Sequence, residues 1–234
     1  MIAEADGTMI CTVEPTKRGT KRPRAWKEMR LSAAQAHGST QSWYGATFGK
    51  VDQVGTRWGH CAQAAGRGLN TKIHALGDGA EWIRIQCQEV FGQQGQFLCD
   101  FYHVSEYLAA AAQSCRPDSP KRWRHTQQAR LRRGQSAKVI KELHGHLEAQ
   151  SVTDEQAPVR SAHRYLSNRT LELDYPRAIE LSLPIGSGLI ESGHRHVLQA
   201  RLKKAGTAWL ADNAEQIAQL RVLRANGQWD TLWN

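Results

Sequence analysis

Apolar positions recur along this chain with two different periods, and each change of period marks out an element. Val104, Tyr107, Leu108, Ala111, Ala112 and Cys115 follow the three-and-four spacing of one helical face. Pro117 ends that helix, because proline lacks an N–H and crowds the preceding turn. Upstream the pattern is that of short strands. Residues 2–13 read as a strand with Asp6 inside it, and Trp26–Leu31 and Trp43–Val51 read as the second and third. Three such segments joined by loops predict an antiparallel meander. Thr56–Ala65 returns to helical spacing, with Trp58, Cys61, Ala62 and Ala65 on one face and Gly66-Arg67-Gly68 as its stop. Thr71–Leu76 is a short buried strand that leaves Asp78 just past its carboxyl end. Trp82, Ile83, Ile85, Cys87 and Val90 predict a helix packed on the sheet, and Gln96–Phe101 the next strand, carrying Asp100.

Beyond residue 115 the pattern becomes wholly helical. Residues 116–122 form a linker, Trp123–Ala149 is a helical region with Val139, Ile140, Leu143 and Leu147 on one face, and residues 151–158 form a second linker. Residues 116–170 are therefore expected to be a helical insertion. After it, Ser187 is placed to cap a helix that runs through Val197, Leu198 and Leu202 to Lys203-Lys204 and stops at Gly206. Asp212 with Glu215 resembles a capping pair for a last helix through Ile217, Leu220 and Leu223, closed by Gly227. Trp229 and Trp233 are expected to pin the tail.

Composition adds a partner class to this outline. The 234 residues, 40% of them hydrophobic, suffice for a sizeable core. A net charge of +9 favours a polyanionic partner, through release of counterions from phosphates. Residues 116–146 hold nine Lys or Arg, among them Lys121, Arg122, Arg124, Arg130, Arg132 and Arg133, against only Asp118 and Glu142. Lys17, Arg18, Lys21 and Arg22 lie in a basic turn region, and Arg201, Lys203 and Lys204 form a third group. Each run fits a solvated face as well as a phosphate contact. Five cysteines form no C-x-x-C pair, which suits a reduced cytosol. No apolar run approaches the roughly 20 residues needed to span a bilayer, so no membrane partner is expected, and the first residues lack the charged and apolar regions of a signal peptide.

The candidate chemistry lies in three carboxylates. Glu191 sits in the first turns of the helix after Gly186-Ser187-Gly188, where the helix dipole favours an acid. Asp6 lies in the first strand beside Gly7, and Asp78 follows the fourth, where ligands of open α/β sheets gather. Taken singly, each has a plain structural explanation: a helix-start acid, a strand residue, an Asp-Gly turn. Together, carboxylates on separate elements can hold two divalent metals, the arrangement used for in-line displacement at phosphorus. Asp100 in the word Asp100-Phe101-Tyr102-His103 is a rival for the second position, and His194, one turn beyond Glu191, is placed to touch a phosphate or leaving oxygen.

The words Ala5-Asp6-Gly7-Thr8-Met9-Ile10, Leu76-Gly77-Asp78-Gly79-Ala80-Glu81-Trp82-Ile83, Asp100-Phe101-Tyr102-His103 and Leu183-Pro184-Ile185-Gly186-Ser187-Gly188-Leu189-Ile190-Glu191-Ser192 resemble those of bacterial insertion-sequence DDE transposases of the ISKra type. Gln199–Gly206 with Trp209, and Leu220–Arg224, are similar to the same group, so the likeness runs in order along almost the whole chain. The resemblance implies an α/β, RNase H-like mixed sheet, with three antiparallel strands then two parallel, flanked by helices. The helical insertion would precede the last catalytic helix, with the core at residues 1–115 and 171–234. It implies that Asp6, Asp78 and Glu191 are the metal-binding triad, holding two Mg²⁺ or Mn²⁺ ions, with Asp100 and His103 behind them or structural. It further implies DNA cleavage and strand transfer on transposon ends and target, by a homo-oligomer on DNA at the bacterial nucleoid. Members of that group usually carry a sizeable region ahead of the first aspartate, which here follows only five residues, so a truncated copy is expected. Two alternatives accompany this reading. One is a host RNase H-like nuclease that cuts without joining. The other is an inactive fragment that binds DNA or a full-length transposase and blocks it.

Overall fold

A computed structural model describes residues 1–15 and 23–233. The chain forms two compact units, Met1–Gln96 with Ser187–Asn234, and Phe97–Gly186. The second takes in more than the expected insertion at 116–170, because the 104–115 helix packs with the helices that follow it.

The first unit is built on β1 (Ile2–Val13), β2 (Arg24–Gln35), β3 (Ser42–Thr47) and β4 (Ile73–Gly77), with β5 (Gly95–Cys99) leading out of it. The sheet order is β3-β2-β1-β4-β5. β1 pairs antiparallel with β2 across its whole length, from Ile2↔Gln35 to Val13↔Arg24, and β2 antiparallel with β3. β4 lies on the other side of β1 and runs parallel to it. The five-stranded mixed sheet of an α/β protein, with its antiparallel meander, agrees with the expectation; β2 extends beyond 26–31, and β3 ends at Thr47.

Period two along β1 sends Glu4, Asp6, Thr8 and Ile10 to one face and Ala3, Ala5 and Cys11 to the other. Against the second face lies α1 (Val51–Ala64), whose buried Val54, Trp58, Cys61 and Ala62 form one stripe. The Trp58 indole donates to the Ala33 carbonyl at 3.0 Å and meets Phe91 of α2 (Glu81–Phe91) edge-on. α1 begins at Val51 rather than Thr56 because its first turn, Val51-Asp52-Gln53, hides the apolar period behind polar residues and Gly55. On the first face, Ile10, Met29, Leu31 and Ala33 form a core with Ile190, Val197, Leu198 and Leu202 and with Ala214, Ala218 and Val222 of α10 (Ala211–Ala225). Asp212 and Glu215 make no capping pair there. Leu210 holds the cap position, while Glu215 reaches the Phe48 N–H at 2.6 Å and Arg57 at 3.7 Å. Trp229 and Trp233 stay largely exposed and pack on each other.

The second unit holds α3 (Phe101–Cys115), α4 (Pro120–Arg132), α5 (Ser136–His144), α6 (Pro158–Ser167) and α7 (Tyr175–Glu180). The expected single region 123–149 is broken at Gly134, whose φ of +72° suits glycine and separates α4 from α5. Leu147 falls beyond α5 and is exposed. All five cysteines are free and buried, and burial pushes the Cys61 and Cys87 thiols up to about 12. No described helix is long and apolar enough to cross a membrane.

Close approach of helix to sheet depends on Gly193. A Cβ there would sit 2.7 Å from Tyr44 Cε1 and 2.8 Å from Leu31 Cδ2, so the helix would have to back away. Gly193→Ala is expected to lower stability by about 1–3 kcal/mol, read as a lower urea midpoint at unchanged slope.

Candidate active site

The site forms where β1 faces the helical segment that begins with α8 (Gly188–Gly193). That segment continues as a π-helical turn, His194–Gln199, and then α9 (Ala200–Leu202). Three polar residues at alternate positions of β1 each meet it. Glu4, 1% exposed, accepts the Ile190 N–H at 2.7 Å. Asp6 Oδ2 lies 3.2 Å from His194 Nε2. Thr8 Oγ1 accepts from Lys203 Nζ at 2.8 Å.

The first contact explains the start of the helix. Ser187 occupies the cap position but makes no side-chain cap bond. The free N–H at Ile190, near the positive end of the helix, is taken instead by the Glu4 carboxylate from a distant part of the chain. Burial raises the pKa of the neighbouring Tyr44; a hydrogen bond with Ser42 opposes this and the Glu4 charge adds to it. In the π turn the backbone ladder is loosened, and Arg221 donates to the His196 and Val197 carbonyls.

Asp78 follows the strand that pairs parallel with the start of β1. β1 and β4 pair as Ile2↔His74, Ala3↔Ala75 and Glu4↔Leu76, and β4 ends at Gly77, so Asp78 is the first residue past the strand. Asp78 Oδ1 accepts the Ala80 N–H at 2.8 Å, an Asx turn that leads through Gly79 (φ +81°) into α2.

Glu191 is on the helix that Glu4 holds, one turn before His194, and is exposed. Among the described residues, no three His, Cys, Asp or Glu side chains converge closely enough to hold a metal ion. The structure therefore brings together Asp6 and His194, and leaves Asp78 and Glu191 outside a closed three-ligand group. His194 is 5% exposed, and both its ring nitrogens are buried without a hydrogen-bond partner. Its contact with Asp6 meets the distance of an ion pair but not the alignment of a hydrogen bond. Hard carboxylate oxygens beside an unsatisfied imidazole suit a divalent cation.

Asp100 and His103 belong to the second unit. Asp100 caps α3, accepting from Tyr102 N at 2.6 Å and His103 N at 3.2 Å, so a structural role accounts for it. His103 lies 3.5 Å from Glu106 and packs edge-on with Tyr107 and Tyr165. Of the basic residues, Lys121, Arg122 and Arg133 are exposed. Arg130 is held by Gln127 and Glu142, Arg132 covers the Phe101 ring at 4.4 Å, and Arg124 is half-buried. Arg116, Arg122 and Arg130 line a pocket of about 480 Å³ beside Glu142. In the first unit Arg201 covers Trp209, Lys203 reaches Thr8, and Lys204 is exposed. Lys17, Arg18, Lys21 and Arg22 lie outside the described residues.

Glu4 was not among the expected site residues. Its signal is the alternation Glu4, Asp6, Thr8 inside a strand whose other positions are apolar or small. Glu4→Ala leaves the Ile190 N–H without its acceptor and is expected to cost about 2 kcal/mol, whereas Glu4→Gln keeps an acceptor and most of the stability. Denaturant unfolding of both variants checks this; equal midpoints would mean the helix start is held by other groups.

A family model described as "Uncharacterised protein family (UPF0236)" matches residues 68–231, a span that holds Asp78, Glu191 and His194 but not Asp6. No curated protein and no solved structure matches the chain.

Proposed function

This chain belongs to the UPF0236 family, and from that premise we propose that it acts as a DDE transposase catalytic domain of the ISKra type, with an RNase H-like core. The reaction is cleavage of DNA strands at transposon ends and their transfer to a target. The observation that supports the reading is the contact of Asp6 with His194, on the helical segment that carries Glu191, with Asp78 just past the strand that pairs with β1. Two divalent cations, Mg²⁺ or Mn²⁺, would supply activation of the attacking oxygen and neutralisation of the departing one.

The chain's own residues provide the rest. Asp6 offers oxygens from within β1, and Asp78 from the Asx turn just past β4, the strand beside it. Glu191 is tied to β1 through the Glu4–Ile190 hydrogen bond next to it. The Lys203 ammonium, held by Thr8 two residues from Asp6, places a positive charge where a phosphate would approach. Exposed Lys121, Arg122 and Arg133 are suited to hold the DNA backbone. A homo-oligomer on DNA belongs to the same reading. The lack of a closed three-ligand group among the described residues favours one alternative, a DNA-binding form without cleavage that blocks an active transposase.

Cleavage of labelled DNA carrying element ends, with Mg²⁺ or Mn²⁺, separates the two. Asp6→Asn, Asp78→Asn and Glu191→Gln are each expected to slow cleavage by about a hundredfold or more, since removing a metal ligand takes several kcal/mol of stabilisation from the transition state. DNA affinity should stay nearly the same. Undiminished cleavage by Asp6→Asn would sink the assignment, and DNA binding with no cleavage by the native chain would favour the blocking form.

Neutralising Lys121, Arg122 and Arg133 together is expected to weaken binding to all DNA sequences alike. The slope of log affinity against log salt should fall by roughly 0.9 for each phosphate that no longer meets a cation. Unchanged affinity would remove this face from the DNA surface.

A further inference from the structure

We propose that His194 is a direct nitrogen ligand of a divalent cation held with Asp6, and that it gives the site a preference for Mn²⁺ over Mg²⁺. This deepens the metal-site reading above and rests on it. His194 is the one site side chain that the fold buries and leaves unsatisfied: it is 5% exposed, and neither ring nitrogen has a hydrogen-bond partner. A buried imidazole in that state is costly unless something takes its lone pair. Asp6 does not do so by hydrogen bonding, because the 3.2 Å contact lacks the alignment.

The same distance suits two ligands of one ion. Adjacent ligands on a six-coordinate ion with bonds of about 2.2 Å lie about 3.1 Å apart. Asp6 retains the access a cation needs, with 37% of its side chain exposed. The π turn that starts at His194 is braced by Arg221 on the carbonyls of His196 and Val197, and Gly193 lets the backbone lie close against Leu31 and Tyr44. The imidazole is therefore held by two independent constraints.

An all-carboxylate site accepts Mg²⁺ readily, but an imidazole nitrogen shifts preference toward first-row transition ions, and Mn²⁺ suits a mixed set of oxygen and nitrogen.

The test reads the ligand atom itself. Mn²⁺ bound to the full chain should show ¹⁴N couplings of an imidazole in pulsed EPR. Labelling with ¹⁵N-histidine should convert them to ¹⁵N couplings without any change of sequence. His194→Asn should remove them and weaken Mn²⁺ about tenfold or more while Mg²⁺ changes less, and circular dichroism would show the variant folded. Asp6→Asn should weaken both ions. If Mn²⁺ binds in a manner that depends on Asp6 and Asp78 but shows no nitrogen coupling, His194 is no ligand, while the metal-site reading stands. Couplings that persist in His194→Asn overturn the inference in favour of another histidine. A folded chain that binds no Mn²⁺ at millimolar concentration overturns both. Nitrogen coupling that disappears with His194, in a chain that cuts no DNA, would uphold this site and count against the transposase.

Discussion

The buried carboxylate of Glu4 accepts the Ile190 N–H at 2.7 Å, and much of the first unit's geometry follows from that contact. A desolvated carboxylate is costly without donors, and a helix start has free N–H groups without acceptors. Each resolves the other's deficit. The partners come from the two ends of the sequence, so the contact sets how far along β1 the helix docks. With Ile190 over Glu4, His194 falls beside Asp6, and Lys203 reaches back to Thr8. A slip of β1 by one residue would turn Glu4, Asp6 and Thr8 toward the Trp58 face and leave all three without these partners.

The elements visible in the sequence were those with one clean face. α3 shows its stripe from Val104 to Cys115 because that face is apolar but for Ser105, and β1 to β3 show theirs because they pair as simple neighbours. What stayed hidden depended on groups distant in sequence. Ser187 looks like a cap, yet Glu4 supplies the acceptor; Asp212 and Glu215 look like a capping pair, yet Glu215 is drawn to Phe48 and Arg57. Local rules see only local competitors. The place of β4 beside β1 is of the same kind, because register between parallel strands is fixed by pairing across a crossover and leaves no mark in either segment. His194 carried a faint signal, its position one turn after Glu191, but nothing in the sequence says that it is buried without partners.

The basic residues show a similar division between pattern and outcome. Residues 116–146 look uniform in charge, but the fold gives them different tasks. Arg130 balances Glu142 and bonds Gln127, and Arg132 lies over the Phe101 ring. Those two are already engaged within the unit, Arg132 while still exposed, so their charge is less available to a partner than that of Lys121, Arg122 and Arg133. Net charge favours a polyanion; the contacts decide which side chains would meet it.

Helix and strand agree in length over only part of the interface, which confines the polar site. Four residues of helix rise about 6 Å, and two residues of strand advance about 6.6 Å. Ile190 to His194 therefore keeps pace with Glu4 to Asp6, and two polar contacts form without distortion. Another four residues along the helix bring Leu198, fully buried, which joins Ile10 in the apolar core. Thr8 is served instead by Lys203, whose long side chain spans the mismatch from beyond the π turn. Polarity is thus bounded by Leu198 and Ile10 at one end and, at the other, by Glu4, itself buried against the Ile190 N–H.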